Sequence, residues 1–313
     1  MRKCVGAVDI GGTKILAALV DYRGEILEEI KLPTQAADGA MEVVDRIAEA
    51  LRRLWREKKF DCDLYGLGIA VAGNVHPKTE VVGLAPNLGW RNFPLKDHLA
   101  EIFSLPVVMD NDANCGALGE YHYGAGRGSQ NLLYLTVSTG IGAGWLVNGQ
   151  PVRGANGAAG ELGHWVLEPE GDLCSCGRRG CLETLASGRA IAKAAQRLRA
   201  AGYGQRIGDL EAIPTAQMVN QAAALGDPEA QAILSQAVGY LVQALEQAVL
   251  FADPDLVLWG GGALQPEGFY WKLLQEKLAA KTDFPAIAAA GTKSCLLGAA
   301  ALAWQKFNLG AAK

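Results

Sequence analysis

No stretch of this 313-residue chain is apolar for long enough to cross a bilayer. The longest such run, Cys295 to Trp304, falls far short of the ~18 residues a membrane span needs. An export signal is missing too, because the apolar stretch Cys4 to Ile10 is cut off by Gly11-Gly12 and no small-residue cleavage site follows it. Positive charge is not in excess. The 29 Lys and Arg against 33 Asp and Glu leave a net charge of −4 and a pI near 5.7, which argues against a protein that lives on nucleic-acid backbone through bulk charge. Two nucleotide motifs are absent as well. There is no G-x-x-x-x-G-K-[ST], so the chain is not a Walker-type NTPase, and no G-x-G-x-x-G, which counts against a dinucleotide fold. A soluble, cytoplasmic protein with small-molecule ligands, and neither membrane nor nucleic acid as partner, is expected.

The composition is rich in two other respects. Half of the residues are hydrophobic and a fifth charged, ample for packed cores, and a chain this long is best read as two domains. There are 39 glycines, gathered in short stretches, which marks tight turns and close backbone approach to a ligand rather than low complexity. Strand-like segments at Val5–Ile10, Ile15–Val20 and Glu25–Leu32 precede a helix in which Val44, Ile47, Ala48, Leu51, Leu54 and Trp55 recur at helical spacing. A strand at Leu64–Val71, a helix near Leu95–Phe103 and a strand at Val107–Met109 complete a βββαβα order, the ingredients of a mixed sheet flanked by helices. After a helix at Ala113–Tyr123 the pattern begins again, with strands at Leu132–Val137 and Ala143–Val147. Long alanine-rich helices are then expected at Thr184–Ala201, Thr215–Leu225 and Glu229–Phe251, a strand at Leu256–Trp259, and closing helices at Gly268–Lys281 and Cys295–Phe307.

Three glycine turns fall at the ends of expected strands. A phosphate chain needs backbone N–H groups aimed at it, and glycine lets the backbone come close enough. Asp9-Ile10-Gly11-Gly12-Thr13-Lys14 offers this together with a hydroxyl, a cation and a carboxylate able to hold magnesium through water. Ser138-Thr139-Gly140-Ile141-Gly142 offers a second such surface and Gly260-Gly261-Gly262 a third. The first two turns sit early in similar element series, as two copies of one sheet unit facing across a cleft would place them; short strand–Gly–strand turns are also common by themselves.

Phosphoryl transfer to an alcohol asks for positioning, charge neutralisation and a base near the hydroxyl. Asp110-Asn111-Asp112-Ala113-Asn114 lies where a strand ends and a helix begins, on the usual ligand side of an α/β sheet. Any one of these residues reads as a helix cap; the cluster, beside glycine turns, reads as a polar site.

Seven cysteines make an odd number, awkward for a disulfide framework, and three of them crowd into Cys174-Ser175-Cys176-Gly177-Arg178-Arg179-Gly180-Cys181. With His164 they form a three-thiolate, one-imidazole set of the kind that holds structural zinc, with no coordination position left open. Gly177 and Gly180 permit the turns that let the sulfurs converge. Cys4, Cys62, Cys115 and Cys295 read instead as small buried hydrophobes. Glu161 and Glu183 bracket the cysteine segment. Lone glutamates are usually solvated surface, but these two sit where zinc would pin the chain, and both can accept hydrogen bonds from sugar hydroxyls.

Taken together these motifs resemble the ROK family (repressors, open reading frames and sugar kinases), and within it the bacterial ATP-dependent glucokinases. The resemblance spans nearly the whole chain. It rests on Asp9–Lys14, Ala85-Pro86-Asn87-Leu88-Gly89-Trp90, Asn111–Asn114, Ser138–Gly144, Gly160-Glu161-Leu162-Gly163-His164 and Cys174–Glu183. It implies an actin-like, duplicated ribonuclease-H-type α/β fold with a cleft between two domains. The small domain would be residues 1–112 plus about 296–313, and the large, zinc-carrying domain residues 113–295. It implies ATP-dependent phosphorylation of a hexose at the 6-hydroxyl, glucose first, with Asp112 as the general base. Asn87, Asn111, Asp112, Glu161, His164 and Glu183 would bind the sugar. Gly11, Gly12, Thr13, Lys14, Thr139 and Gly140 would meet the phosphates, with Gly261 and Gly262 near the nucleoside. Asp9 would meet magnesium through water, and His164, Cys174, Cys176 and Cys181 would hold zinc. A homodimer or dimer of dimers would be the assembly.

Two segments depart from the family pattern. Ala72-Gly73-Asn74-Val75-His76 stands where Pro-Gly-x-Val-Asp is usual, in a loop that approaches the sugar, and Thr292-Lys293-Ser294-Cys295 replaces a glycine-containing stretch before the last helix. The first bears on sugar preference, so a kinase for N-acetylmannosamine, N-acetylglucosamine or another hexose stays open beside glucose. A repressor of the same family would carry a helix-turn-helix domain ahead of the kinase-like part, and Asp9 leaves no room for one in this sequence. A sensor that has lost catalysis is opposed by Asp112 and both phosphate turns.

Overall fold

The computed structural model describes residues 2–56, 62–202, 213–281 and 286–307, without the side chains of 286–289. The chain divides into two compact units. The first is Met1–Leu132, Gly144–Gly160 and Ala290–Lys313; the second is Leu133–Ala143 and Glu161–Ala289.

In the first unit β1 (Arg2–Ile10), β2 (Lys14–Asp21), β3 (Ile26–Pro33), β4 (Cys62–Val71) and β8 (Val107–Asn111) form one sheet in the order β3-β2-β1-β4-β8. Strands β1 and β4 are apolar over most of their length, as a sheet covered on both faces requires, whereas the edge strand β3 alternates half-buried and exposed residues after Leu27. Helix α1 (Ala40–Arg56) buries Val43, Val44, Ile47, Leu51 and Leu54 along the expected stripe. β1, β4 and β8 run parallel, in a register that pairs Ile10 with Val71 and Val71 with Asn111. The Gly11–Thr13 turn, the 72–76 loop and the Asn111-Asp112 step therefore leave the sheet at the same carboxyl edge, where open α/β sheets bind ligands.

Between β4 and α2 (Leu95–Phe103) lies a small antiparallel sheet that the sequence did not announce: β5 (Asn74–Val75), β6 (Val82–Ala85) and β7 (Trp90–Phe93), with a 3-10 turn at Pro86–Leu88. Helix α3 (Asp112–Tyr123) packs in this unit against the last helix, α9 (Ser294–Lys306). Small residues make that crossing possible, since a Cβ at Gly298 would lie 1.6 Å from the Cys115 carbonyl oxygen. The buried Glu120 carboxylate adds a polar clasp, accepting from the Gly291 N–H at 2.7 Å and from the Ser294 hydroxyl at 2.5 Å. The expected domain boundary at 112/113 falls at the start of α3; residues 308–313 of the expected small domain lie outside the described residues.

The second sheet has the order β11-β10-β9-β12-β13, from β9 (Leu132–Val137), β10 (Ile141–Val147), β11 (Gln150–Pro151), β12 (Leu256–Gly260) and β13 (Ala286–Ala289). Rank for rank this repeats the first sheet, which is the duplication the two glycine turns suggested. The second unit's helices are α4 (Leu182–Ala186), α5 (Gly188–Ala200), α6 (Ala216–Ala224), α7 (Pro228–Ala252) and α8 (Phe269–Ala279). The single helix expected over Thr184–Ala201 is two. Ser187 adopts an extended conformation and its hydroxyl accepts from the Ala190 N–H at 3.2 Å, so a fresh cap interrupts the alanine-rich pattern. Among the described residues no helix is long and apolar enough to cross a membrane.

Candidate active site

The Gly11–Thr13 turn is clamped from beneath. The Gly11 N–H donates to the Lys14 carbonyl at 3.0 Å, and the wholly buried Thr34 donates its hydroxyl to the Gly11 carbonyl at 2.6 Å and its N–H to the Thr13 carbonyl at 3.1 Å. Sequence reading missed Thr34, whose role arises only because β3 lies beside β2. Thr13 and Lys14 are exposed at the turn. Asp9 sits half-buried at the end of β1, and that burial pushes its carboxyl up to about 6 despite the opposing pull of Lys14. The turn also meets a second predicted element: a Cβ on Gly12 would stand 2.8 Å from the Asn87 Cβ.

The polar cluster after β8 combines both of its sequence readings. Asn111 is the N-cap of α3, its side-chain oxygen accepting from the Ala113 N–H at 2.8 Å and the Asn114 N–H at 3.3 Å. Its amide nitrogen meanwhile donates to the Gly73 carbonyl at 3.1 Å, tying the helix start to the 72–76 loop. Asp112 is the first residue of α3, where the helix's positive end favours a carboxylate, and its Oδ1 accepts from the Ala113 N–H at 2.9 Å. In the divergent loop, His76 turns inward on itself: its Nδ1 accepts from the N–H groups of Lys78 and Thr79 at 3.3 and 3.2 Å.

In the second unit, the Ser138–Gly140 turn closes through the Ser138 N–H and Gly140 carbonyl at 2.9 Å. Glu183 lies directly against it. Its Oε2 accepts from the Ile141 N–H at 3.2 Å, and a Cβ on Gly140 would come within 2.3 Å of that oxygen. The exposed Thr139 accepts at its carbonyl from the Arg189 N–H at 3.4 Å. Gly261, with φ +98°, follows β12 and lies against the Val137 backbone, so the third glycine turn abuts the strand that leads into the second; Gly262 is exposed with open space around it.

His164, Cys174, Cys176 and Cys181 converge, with their ligand atoms all within 4.8 Å of one another. Gly177 and Gly180, with φ of +87° and +64°, make the turns that bring the sulfurs round. The imidazole is divided between two neighbours: Nδ1 lies 3.5 Å from the Cys174 sulfur and Nε2 3.8 Å from a Glu161 oxygen. Burial raises the Glu161 carboxyl, with His164 opposing and Glu183 adding to the shift. The four donors fit a tetrahedral thiolate–imidazole centre.

The sequence model of the ROK family matches residues 5–306. The chain belongs to the ROK family. Among ROK proteins it is 40% identical to a glucokinase of Halalkalibacterium halodurans over 82% of this chain and 79% of the relative. The structure superposes on a ROK family glucokinase from Streptomyces griseus in complex with glucose and AMPPNP with a TM-score of 0.83, at 35% identity, covering 96% and 99% of the two chains. A ROK hexokinase from Thermus thermophilus matches with a TM-score of 0.81, at 35% identity over 98% of this chain and all of the other. The actin-like two-domain fold of ROK sugar kinases is thus the fold of this chain.

Proposed function

We propose that the protein is an ATP-dependent hexose kinase that converts glucose to glucose 6-phosphate. The observation that carries this is Asp112 at the start of α3, on the sheet edge shared with the Gly11–Thr13 turn. The similarity to glucokinases over four fifths of the chain supports the substrate. Asp112 takes the proton from the 6-hydroxyl as that oxygen attacks the γ-phosphorus and the bond to the β,γ-bridging oxygen breaks, releasing ADP, so that alkoxide character develops only as the new bond forms. Asn87, Asn111, Glu161, His164 and Glu183 bind the sugar by accepting from or donating to its hydroxyls. Gly11, Gly12, Thr13 and Lys14, with Thr139 and Gly140, receive the phosphates through backbone N–H groups and the Lys14 cation, while Gly261 and Gly262 lie near the nucleoside.

Magnesium accompanies ATP and neutralises phosphate charge, with Asp9 as its water-mediated anchor. His164, Cys174, Cys176 and Cys181 would hold a structural zinc, which would order the segment from which Glu161 and Glu183 project and leave the second nitrogen of His164 for the sugar. The protein works in the cytoplasm as a homodimer or dimer of dimers.

The test is product identity. Incubation with ATP, magnesium and glucose, followed by phosphorus NMR, should give a phosphate ester on the 6-oxygen. Tight glucose binding without any ester would turn the reading towards a non-catalytic sugar sensor.

A further inference from the structure

One buried charge beside the proposed base has no part in the chemistry above. Asp110, at 2% exposure, ends β8 with three donors around its carboxylate. Oδ1 accepts from the Asn111 N–H at 2.8 Å and from the Asn114 side-chain amide at 3.0 Å, and Oδ2 accepts from Arg153 Nε at 2.6 Å. Two of these donors belong to the strand–helix step that contains Asp112, and the third, Arg153, lies 43 residues beyond Asp110 in the chain.

That segment is itself fixed on the same loops. The Ala159 N–H donates to the Arg153 carbonyl at 3.2 Å, closing residues 153–159 on themselves. Gly157, with φ +78°, packs so closely on the 72–76 loop that a Cβ would lie 2.1 Å from the Val75 carbonyl oxygen. The same loop receives the Asn111 amide at Gly73. Segments 73–75, 110–114 and 153–159 are thus tied to one another beside one buried carboxylate, and the half-buried Arg153 guanidinium is the cation that neutralises it.

We propose that Arg153 is a positioning residue for phosphoryl transfer: through buried Asp110 it fixes the start of α3 and with it the direction of the Asp112 carboxylate. This rests on Asp112 being the base. The physical argument is the asymmetry of buried ion pairs. A buried carboxylate stripped of its cation must find water or another donor, and the donors within reach are the Asn111 N–H and the Asn114 amide that now hold the turn. Any rearrangement there displaces Asp112 at the point where proton transfer is most sensitive to geometry. Arginine suits this post because it stays charged and its planar fork holds one orientation.

The experiment compares Arg153→Gln, Arg153→Lys and the double variant Asp110→Asn/Arg153→Gln with the wild type, all at a temperature where each is folded. Arg153→Gln should lose about 100-fold in kcat, the penalty expected of a misplaced catalytic group, while KM for ATP stays unchanged. Amide hydrogen exchange should quicken at residues 111–114 and not across the rest of the chain. Arg153→Lys should recover part of the loss, and the double variant should recover part of the local protection because no buried charge is left unpaired. An Arg153→Gln enzyme with wild-type kcat overturns the proposal whatever its exchange, and so does a loss that merely follows a lowered melting temperature. If the wild type phosphorylates no sugar, the kinase reading fails by itself. The exchange arm then decides the positioning role: unchanged exchange at 111–114 ends it, and quickened exchange confined there supports it.

Discussion

The two stretches that carry polar chemistry, residues 110–114 and 161–183, are held in place by opposite means. The first is built into the core. Asp110 is buried, its strand is in register with β4, and the turn's amides are capped by Asn111. The second is buried at Leu162, Cys174, Cys181 and Leu182 but open between them: Leu173 is 64% exposed, Cys176 is exposed, and among the described residues two isolated bridges, Val166 to Cys181 and Leu173 to Arg179, are its β pairing. What gathers it is the convergence of three sulfurs and an imidazole. A polar site can thus inherit its precision from the sheet beneath it, or from converging cysteine and histidine side chains where no sheet is available, and each origin has its own weak point.

The largest expected effect lies in the core-built stretch. Asp112→Asn keeps size and the helix start but removes the proton acceptor, so kcat should fall on the order of a thousandfold. Glucose affinity by calorimetry should stay close to wild type. Appreciable residual turnover would remove Asp112 as the base.

Next comes the cysteine-gathered stretch. Chelation, or Cys176→Ser, should lower bound zinc and weaken glucose binding together, about tenfold or more, as loss of ligand-orienting structure does. Hydrogen exchange at 110–114 should not change. Full zinc with unaltered affinity in Cys176→Ser would mean that the loop is held by something other than the metal. The smallest effect is at Thr34→Val, which removes the hydroxyl clamp under the Gly11 carbonyl. It should cost about 1 kcal/mol in stability and raise KM for ATP more than KM for glucose; equal changes in both would separate Thr34 from the phosphate turn.

Much of the fold was legible because its signals are local. Gly11-Gly12, Ser138–Gly142 and Gly260–Gly262 are turns whose residues state their own geometry, and the αβ order between them follows from periodicity. The cysteine cluster was equally plain, since Cys174, Cys176 and Cys181 lie within eight residues and their glycines supply the positive φ. Tertiary facts were not legible. Nothing near Thr34 tells that it will lie beneath the phosphate turn, and nothing near Arg153 names Asp110 as its partner. The split of the 184–201 helix is a different case: the Ser187-Gly188 cap signal was present, and alanine-rich periodicity on both sides masked it. The strands β5 to β7 are two to four residues long, too short for alternation to register.

The glucose assignment is tested most directly by a steady-state comparison of kcat/KM, with ATP and magnesium, for glucose, mannose, fructose, N-acetylglucosamine and N-acetylmannosamine. A clear lead for glucose is predicted, which would make Ala72 and His76 neutral departures. A lead for an N-acetyl sugar would contradict the glucose assignment and move specificity to the 72–76 loop. No turnover on any of the five, in protein that still binds sugar, would contradict the kinase itself.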